Sequence, residues 1–323
     1  MAVDASESRV AFYSTIANLM AVRPIFVVGS PRSGTTMIGN YIGSAPSVLN
    51  AGEYRALHLA YGTLTSQLTG ALAGLVPADW ERHRDRYVSE VQRHAAEFIV
   101  RATESEGCMA FCDSTPRNLL VARKLAQVFP NALFILTVRH YSGTIQSLVR
   151  LGIISVLYDH EPGRDLADAT AAAAGALWSR HYSSAPELPP NRTIVFGYDR
   201  FCAEPELTLE RFKAALASKD FPIEELDDAA FAISHALAPG TNRATVGQKS
   251  AGETRLISIP SFDVAGWTGS MEYHVRPAVE VVDADLRVWY PDDYREPVGY
   301  RGAGVLIGEA LAGISPTPPT DEV

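Results

Sequence analysis

Ile25-Phe26-Val27-Val28-Gly29-Ser30-Pro31-Arg32-Ser33-Gly34-Thr35-Thr36 is the stretch that decides the fold. Four apolar residues run into a loop bounded by Gly29 and Gly34, and the residues after the loop read as a helix. Strand, glycine-bounded loop and helix make the layout of a phosphate cradle. The loop N–H groups turn inward, and the helix N-terminus adds partial positive charge. The nucleotide-triphosphatase pattern G-x-x-x-x-G-K-[ST] puts a lysine where this chain has Thr35. The nearest cation is Arg32, inside the loop. The expected ligand is therefore phosphorylated, without a tie to ATP and magnesium.

Working outward, the helix after the loop is expected from Gly34 to Ser44, ending before Pro46. Further strands are expected at Ser47 to Asn50, Cys108 to Cys112, Ala132 to Val138 and Arg192 to Phe196. Helices are expected over 54–75, 78–104, from Ser114-Thr115-Pro116 onward, and over 142–151, 165–184 and 206–216. The unbroken apolar run Ala132 to Val138 reads as a central parallel strand buried on both faces. Strands alternating with helices predict an α/β fold: a P-loop-type parallel sheet with helices on both faces. Ligands of such sheets collect beyond the C-terminal ends of the strands. Gly29, Asp113, Arg139 and Tyr198 all fall at such ends. The polar stretch 240–256 lacks periodicity and reads as a long functional loop. One domain is expected over 1–314, with a proline-rich disordered tail over 315–323.

A formal net charge of −9 argues against a general nucleic-acid binder. No charged-then-apolar leader opens the sequence and no apolar run reaches membrane-spanning length, so a cytoplasmic enzyme is expected. The three cysteines, Cys108, Cys112 and Cys202, do not make a disulfide framework. Along a strand, Cys108 and Cys112 would lie roughly 13 Å apart, too far for a bridge. No acidic pair suggests a metal site, and none is expected.

Four segments together resemble the PAPS-dependent sulfotransferase family, in its bacterial and tyrosylprotein-sulfotransferase-like branch. PAPS, 3′-phosphoadenosine 5′-phosphosulfate, is the sulfuryl donor of that family. Gly29-Ser30-Pro31-Arg32-Ser33-Gly34-Thr35-Thr36 resembles its 5′-phosphosulfate loop. Thr137-Val138-Arg139-His140-Tyr141-Ser142-Gly143-Thr144-Ile145-Gln146-Ser147 resembles its 3′-phosphate site, where a strand-end arginine and a serine eight residues on grip the phosphate. Eight helical residues are slightly over two turns, so such a serine faces nearly the way the helix begins. Val195-Phe196-Gly197-Tyr198 is similar to the strand-end tyrosine near the adenine. Ala51-Gly52-Glu53-Tyr54-Arg55 looks like the glycine–glutamate turn that carries the general base.

The resemblance implies a sulfotransferase that moves a sulfuryl group from PAPS to a hydroxyl of a small or medium organic acceptor, leaving PAP and needing no metal. Glu53 would be the base, with His58 and Asp113 in reserve. Arg32 would oppose the charge on the leaving phosphate. Arg32, Ser33, Gly34, Thr35, Thr36, Arg139, Ser147 and Tyr198 would bind the donor, and Tyr54, Arg55 and His58 would line the acceptor side. The chain departs from the family at three places. His140-Tyr141 replaces Asp-Pro after Arg139, Ser114 replaces a lysine, and the C-terminal Arg-Lys-Gly signature is absent. Arg243 and Lys249 are the expected substitutes in the polar stretch. Two other readings stay open: a kinase with a variant phosphate loop, and a non-catalytic nucleotide binder.

Overall fold

A computed structural model of the protein describes residues 22–63, 80–150, 166–228, 247–250, 253–256, 262–297 and 299–300. Two compact units make up the chain. One is built from 1–138, 177–196 and 212–227, the other from 139–176, 197–211 and 228–323.

The first unit starts with β1 (Arg23–Gly29), whose Ile25, Phe26, Val27 and Val28 are fully buried. The glycine-bounded loop follows, then α1 (Thr35–Ile42), β2 (Val48–Gly52) and the short α2 (Arg55–His58). A π-helical turn, Leu59–Thr63, continues α2, so the long helix expected over 54–75 is irregular as far as it is described. Next come α3 (Trp80–Ser105) and β3 (Ala110–Asp113). The helix expected after Ser114 begins as a 3-10 segment, Pro116–Val121, and becomes α-helical only in α4 (Ala122–Val128). β4 (Leu133–Val138) is buried along its whole length, as its apolar run demands. The chain then leaves the first unit for α5 (Tyr141–Arg150) and most of α6 (Leu166–Tyr182), which belong to the second, and returns to it for β5 (Thr193–Gly197).

The sheet is five-stranded and parallel, in the order β2-β3-β1-β4-β5. Ile25 of β1 is opposite both Cys112 of β3 and Leu133 of β4, so β1 is a central strand. Phe26 anchors one face of it. Its ring lies 6.0 Å from Phe111, 5.8 Å from Phe129 and 5.4 Å from Phe134. These aromatics come from three strands and the end of α4, and their burial fixes which way β1 delivers the loop.

After β5 the chain forms α7 (Tyr198–Ala203), α8 (Pro205–Ala217), the strands β6 (Gly247–Ser250), β7 (Glu253–Leu256) and β8 (Phe262–Asp263), then α9 (Gly269–Trp289) and β9 (Gly299–Tyr300). In the second unit the alanine-rich α6 meets α9. A Cβ on Gly175 would come within 3.3 Å of Val275 and 3.4 Å of Val279, so the small residues of α6 permit close helix approach. The expectation of a loop throughout 240–256 is corrected here. β6 and β7 pair antiparallel, Gly247 with Leu256 and Lys249 with Thr254. Only two residues, Ala251 and Gly252, separate them. A short polar ladder of this kind lacks the apolar alternation that reveals a strand. Positions 240–246 and the tail 315–323 lie outside the described residues. The cysteines are free thiols, with Cys112 and Cys202 buried and Cys108 half-buried.

Replacing Phe26 with Ala removes the shared partner of three rings and should cost about 3–5 kcal/mol in urea unfolding. A loss below about 1 kcal/mol would show that the sheet core does not depend on this cluster.

Candidate active site

β1 ends at Gly29 in a space with no room for a side chain. A Cβ there would come within 2.5 Å of the Thr137 hydroxyl and 2.6 Å of the Ser33 hydroxyl. Those two hydroxyls hold the loop. Thr137 Oγ1 donates to the Val28 carbonyl at 3.2 Å, so Ser33 Oγ donates to Thr137 Oγ1 at 2.7 Å. The Ser33 N–H turns back to the Ser30 carbonyl at 3.1 Å. Ser33 therefore shapes the loop from within, its side chain fully buried. Arg32 sits at φ 72°, in the left-handed region that costs a non-glycine residue about 1–2 kcal/mol. Gly34 follows at φ 101° and starts α1 without a side-chain cap. The first helical hydrogen bond is Ile38 N–H to Gly34 C=O, at 3.1 Å. The N–H groups of Thr35, Thr36 and Met37 therefore belong to the open first turn of the helix, where an anion is favoured.

The second strand brings the carboxylate. Asn50 pairs with Cys112 but Gly52 pairs with Asp113, so β2 carries one extra residue, a bulge. Gly52 is at φ 60°, and Glu53 follows in the turn. Glu53 Oε2 accepts from Arg55 Nη2 at 2.8 Å and Nε at 3.3 Å. Arg55 therefore pairs with Glu53, an exposed ion pair worth little to stability. Tyr54 stacks its ring on Phe98 of α3, with centroids 6.3 Å apart. His58 is buried near Arg117, and burial first, then the Arg117 charge, lower its pKa.

Asp113 ends β3 and is fully buried. Its Oδ1 accepts from the N–H groups of Thr115 at 2.9 Å and Tyr54 at 3.2 Å, and its Oδ2 from Asn118 Nδ2 at 2.8 Å. Burial pushes its pKa up to about 6, against the pull of these donors. Next to it, Ser114 directs both its N–H, at 2.7 Å, and its Oγ, at 3.1 Å, to the Gly52 carbonyl. Ser114, which departs from the lysine that the resemblance implies, is thus a small buried hydroxyl held by the neighbouring strand.

The second unit has its own cationic cluster. Arg139, 8% exposed, lies with its guanidinium 4.4 Å over the ring of Tyr198, the first residue of α7. The next residue, Asp199, accepts the His140 N–H at 2.7 Å. Tyr198 and Asp199 thus hold Arg139 and His140 as a pair, one by its ring and one by its carboxylate. Such cation–π contact contributes about 0.5–2 kcal/mol. His140 is itself buried, with Nδ1 2.8 Å from Ser142 Oγ, and burial is the main cause of its lowered pKa. Ser147 lies half-buried on α5. That helix is anchored by Gln146, which exchanges two hydrogen bonds with the Asp263 backbone at 2.7 and 2.9 Å, and by the Arg150–Asp263 pair.

Residues 24–218 match the sulfotransferase family. The chain belongs to that family. Solved structures share the likeness at low identity. Sulfotransferase STF9 of Mycobacterium avium is 15% identical at a TM-score of 0.48, over 91% of this chain and 82% of its own. The sulfotransferase domain of the curacin biosynthetic pathway is 13% identical at 0.46, over 82% and 97%. The sulfotransferase domain of the Synechococcus PCC 7002 olefin synthase is 17% identical at 0.42, over 68% and 80%. No curated protein sequence matches the chain significantly.

In this sulfotransferase the first unit brings together the loop residues Arg32 to Thr36, and separately Glu53, Tyr54, Arg55 and Asp113. The second holds Arg139, Tyr198 and Ser147. Lys249 is on β6, opposite Thr254, and Arg243 lies outside the described residues. Asp199 and Thr137 were not singled out by sequence. The only signal for Asp199 is an acid directly after the strand-end tyrosine, and for Thr137 a hydroxyl in an otherwise apolar strand. Among the described residues no group of His, Cys, Asp or Glu could hold a metal ion, and no helix is long and apolar enough to cross a membrane.

Because the Asp113 pKa is raised above its ordinary value, the folded state binds the proton more tightly than the unfolded chain. Its contribution to stability is therefore greatest at low pH and declines between about pH 4 and 6, by about 3 kcal/mol. The stability difference between wild type and D113N, followed by urea unfolding against pH, should fall by about that amount across this window. A difference independent of pH would contradict the raised value.

Proposed function

We propose that this sulfotransferase uses PAPS as donor and the hydroxyl of a small or medium organic molecule as acceptor, releasing PAP. The observation that carries the reading is the loop after β1. Its cation is an arginine held at a left-handed position between two glycines, ahead of an open helix N-terminus. That arrangement suits a phosphate whose bridging oxygen gains charge as the sulfuryl group leaves.

Glu53 takes the proton of the acceptor hydroxyl as its oxygen bonds to sulfur and the sulfur–oxygen bond to the phosphate breaks. Atoms balance as one sulfate ester, one PAP and one proton. Arg32 and the amides of Thr35 and Thr36 oppose the negative charge on the phosphate oxygen. The Thr35 and Thr36 hydroxyls add donors to the 5′-phosphate. Arg139 and Ser147 are assigned the 3′-phosphate, which separates this donor from ADP, and the Tyr198 ring supports Arg139 with its guanidinium carbon 4.4 Å from the ring centre. Arg55, paired with Glu53, must turn aside or toward the acceptor when Glu53 accepts the proton. As in phosphoryl transfer, positioning and charge stabilisation supply most of the catalysis.

Thermal unfolding with PAP, ADP or ATP plus magnesium at equal concentration tests the donor. A ligand at 100 times its Kd adds about 2.7 kcal/mol. PAP should stabilise well beyond ADP, and R139M should erase that difference. A shift with ATP and magnesium alone would sink the reading. E53Q should lower turnover by about 10²–10⁴-fold while the PAP shift stays. Turnover near that of wild type removes Glu53 from the role.

A further inference from the structure

The two peptide groups that flank Glu53 are both gripped by consecutive residues at the end of β3. The Gly52 carbonyl, in the peptide before Glu53, accepts the Ser114 N–H at 2.7 Å and the Ser114 hydroxyl at 3.1 Å. The Tyr54 N–H, in the peptide after Glu53, donates to Asp113 Oδ1 at 3.2 Å. Gly52 reaches this geometry from a left-handed φ of 60°, one step past the bulge in β2. Among the described residues, the Glu53 carboxylate itself pairs with the exposed Arg55 alone.

We infer that Asp113 and Ser114 are positioning residues for the general base, a two-residue clamp that fixes the Glu53 Cα by holding the peptide on either side of it. The inference rests on the reading of Glu53 as base. Asp113 does not serve as the base itself. It is fully buried, and three donors occupy its two oxygens. Ser114 is committed in the same way, its N–H and its hydroxyl both on the Gly52 carbonyl. The carboxylate of Asp113 also ties the clamp to the start of the 3-10 segment through Thr115 and Asn118, so the turn is referenced to β3 on both sides.

The clamp is tested with D113A, D113N and S114A, each alone and D113A also in an E53Q background. A catalytic group displaced by about 1 Å loses on the order of 10²-fold in rate. D113A should therefore lower kcat by about that factor while donor KM holds. D113N keeps an amide oxygen that accepts from both Tyr54 and Thr115, while its NH2 donates to Asn118 Oδ1 once that amide flips, and it should rescue most of the loss. In E53Q, whose base is already gone, D113A should cost little more, because residues that act through one another are not additive. S114A removes one of two bonds to Gly52 and should lower kcat about fivefold, the worth of one neutral hydrogen bond. Hydrogen exchange at the Tyr54 amide should quicken in D113A and not in D113N.

Four results would overturn the proposal. D113N as slow as D113A would assign the effect to charge. D113A costing the same factor with and without Glu53 would place its action elsewhere. Unchanged Tyr54 exchange in D113A, or S114A with wild-type kcat, would show that there is no clamp. The exchange readout stands apart from the chemistry: if E53Q alone keeps full turnover, the base reading fails, whereas altered Tyr54 exchange still reports the clamp.

Discussion

The Ser33–Thr137 hydrogen bond is the constraint on which the phosphate loop depends. β1 and β4 are held in parallel register, Gly29 opposite Thr137, by cores on both faces of the sheet. Thr137 places a hydroxyl at the end of β4, bonded to the Val28 carbonyl, and Ser33 reaches it from inside the loop. The loop cannot open without breaking a buried pair, and an unpaired buried hydroxyl costs about 1–3 kcal/mol. This bond, with Gly29 leaving room for it, holds Arg32 in a conformation that an arginine otherwise avoids. The strain at Arg32 is local, and the sheet holds it in place.

Charge follows the same division between buried support and exposed chemistry. Asp113 and Asp199 are both buried acids whose oxygens accept backbone N–H groups. Each fixes a short turn that carries a residue of the opposite exposure or sign: Glu53 for Asp113, Arg139 for Asp199. Burying a carboxylate is unfavourable, and the raised pKa of Asp113 records that cost. The Tyr198 ring over Arg139 complements Asp199, so the turn after β4 is held through its backbone and its side chain at once.

The parts legible in the sequence are those set by local pattern. The apolar runs of β1 and β4, the glycines of the loop and Arg139 after a buried strand all declare themselves within a dozen residues. Ser33 and Ser114 stand in the sequence as motif positions alone, yet their side chains bond to Thr137 and Gly52, 104 and 62 residues away. Asp113 at a strand end reads as a spare base, although its bond to Tyr54 spans 59 residues. Such partners follow from strand order, which no window of sequence contains. The β6–β7 pair escaped for a different reason. Its sequence, Gly247-Gln248-Lys249-Ser250 and Glu253-Thr254-Arg255-Leu256, has no alternation of apolar and polar residues, so neither helix nor strand periodicity marks it.

The most direct test of the account is transfer of labelled sulfuryl from [35S]PAPS to a panel of organic alcohols, with ATP as the control donor. The account predicts labelled sulfate ester with stoichiometric PAP, at a rate cut sharply by E53Q. Phosphoryl transfer from ATP with magnesium, and no ester from PAPS across the panel, would contradict it.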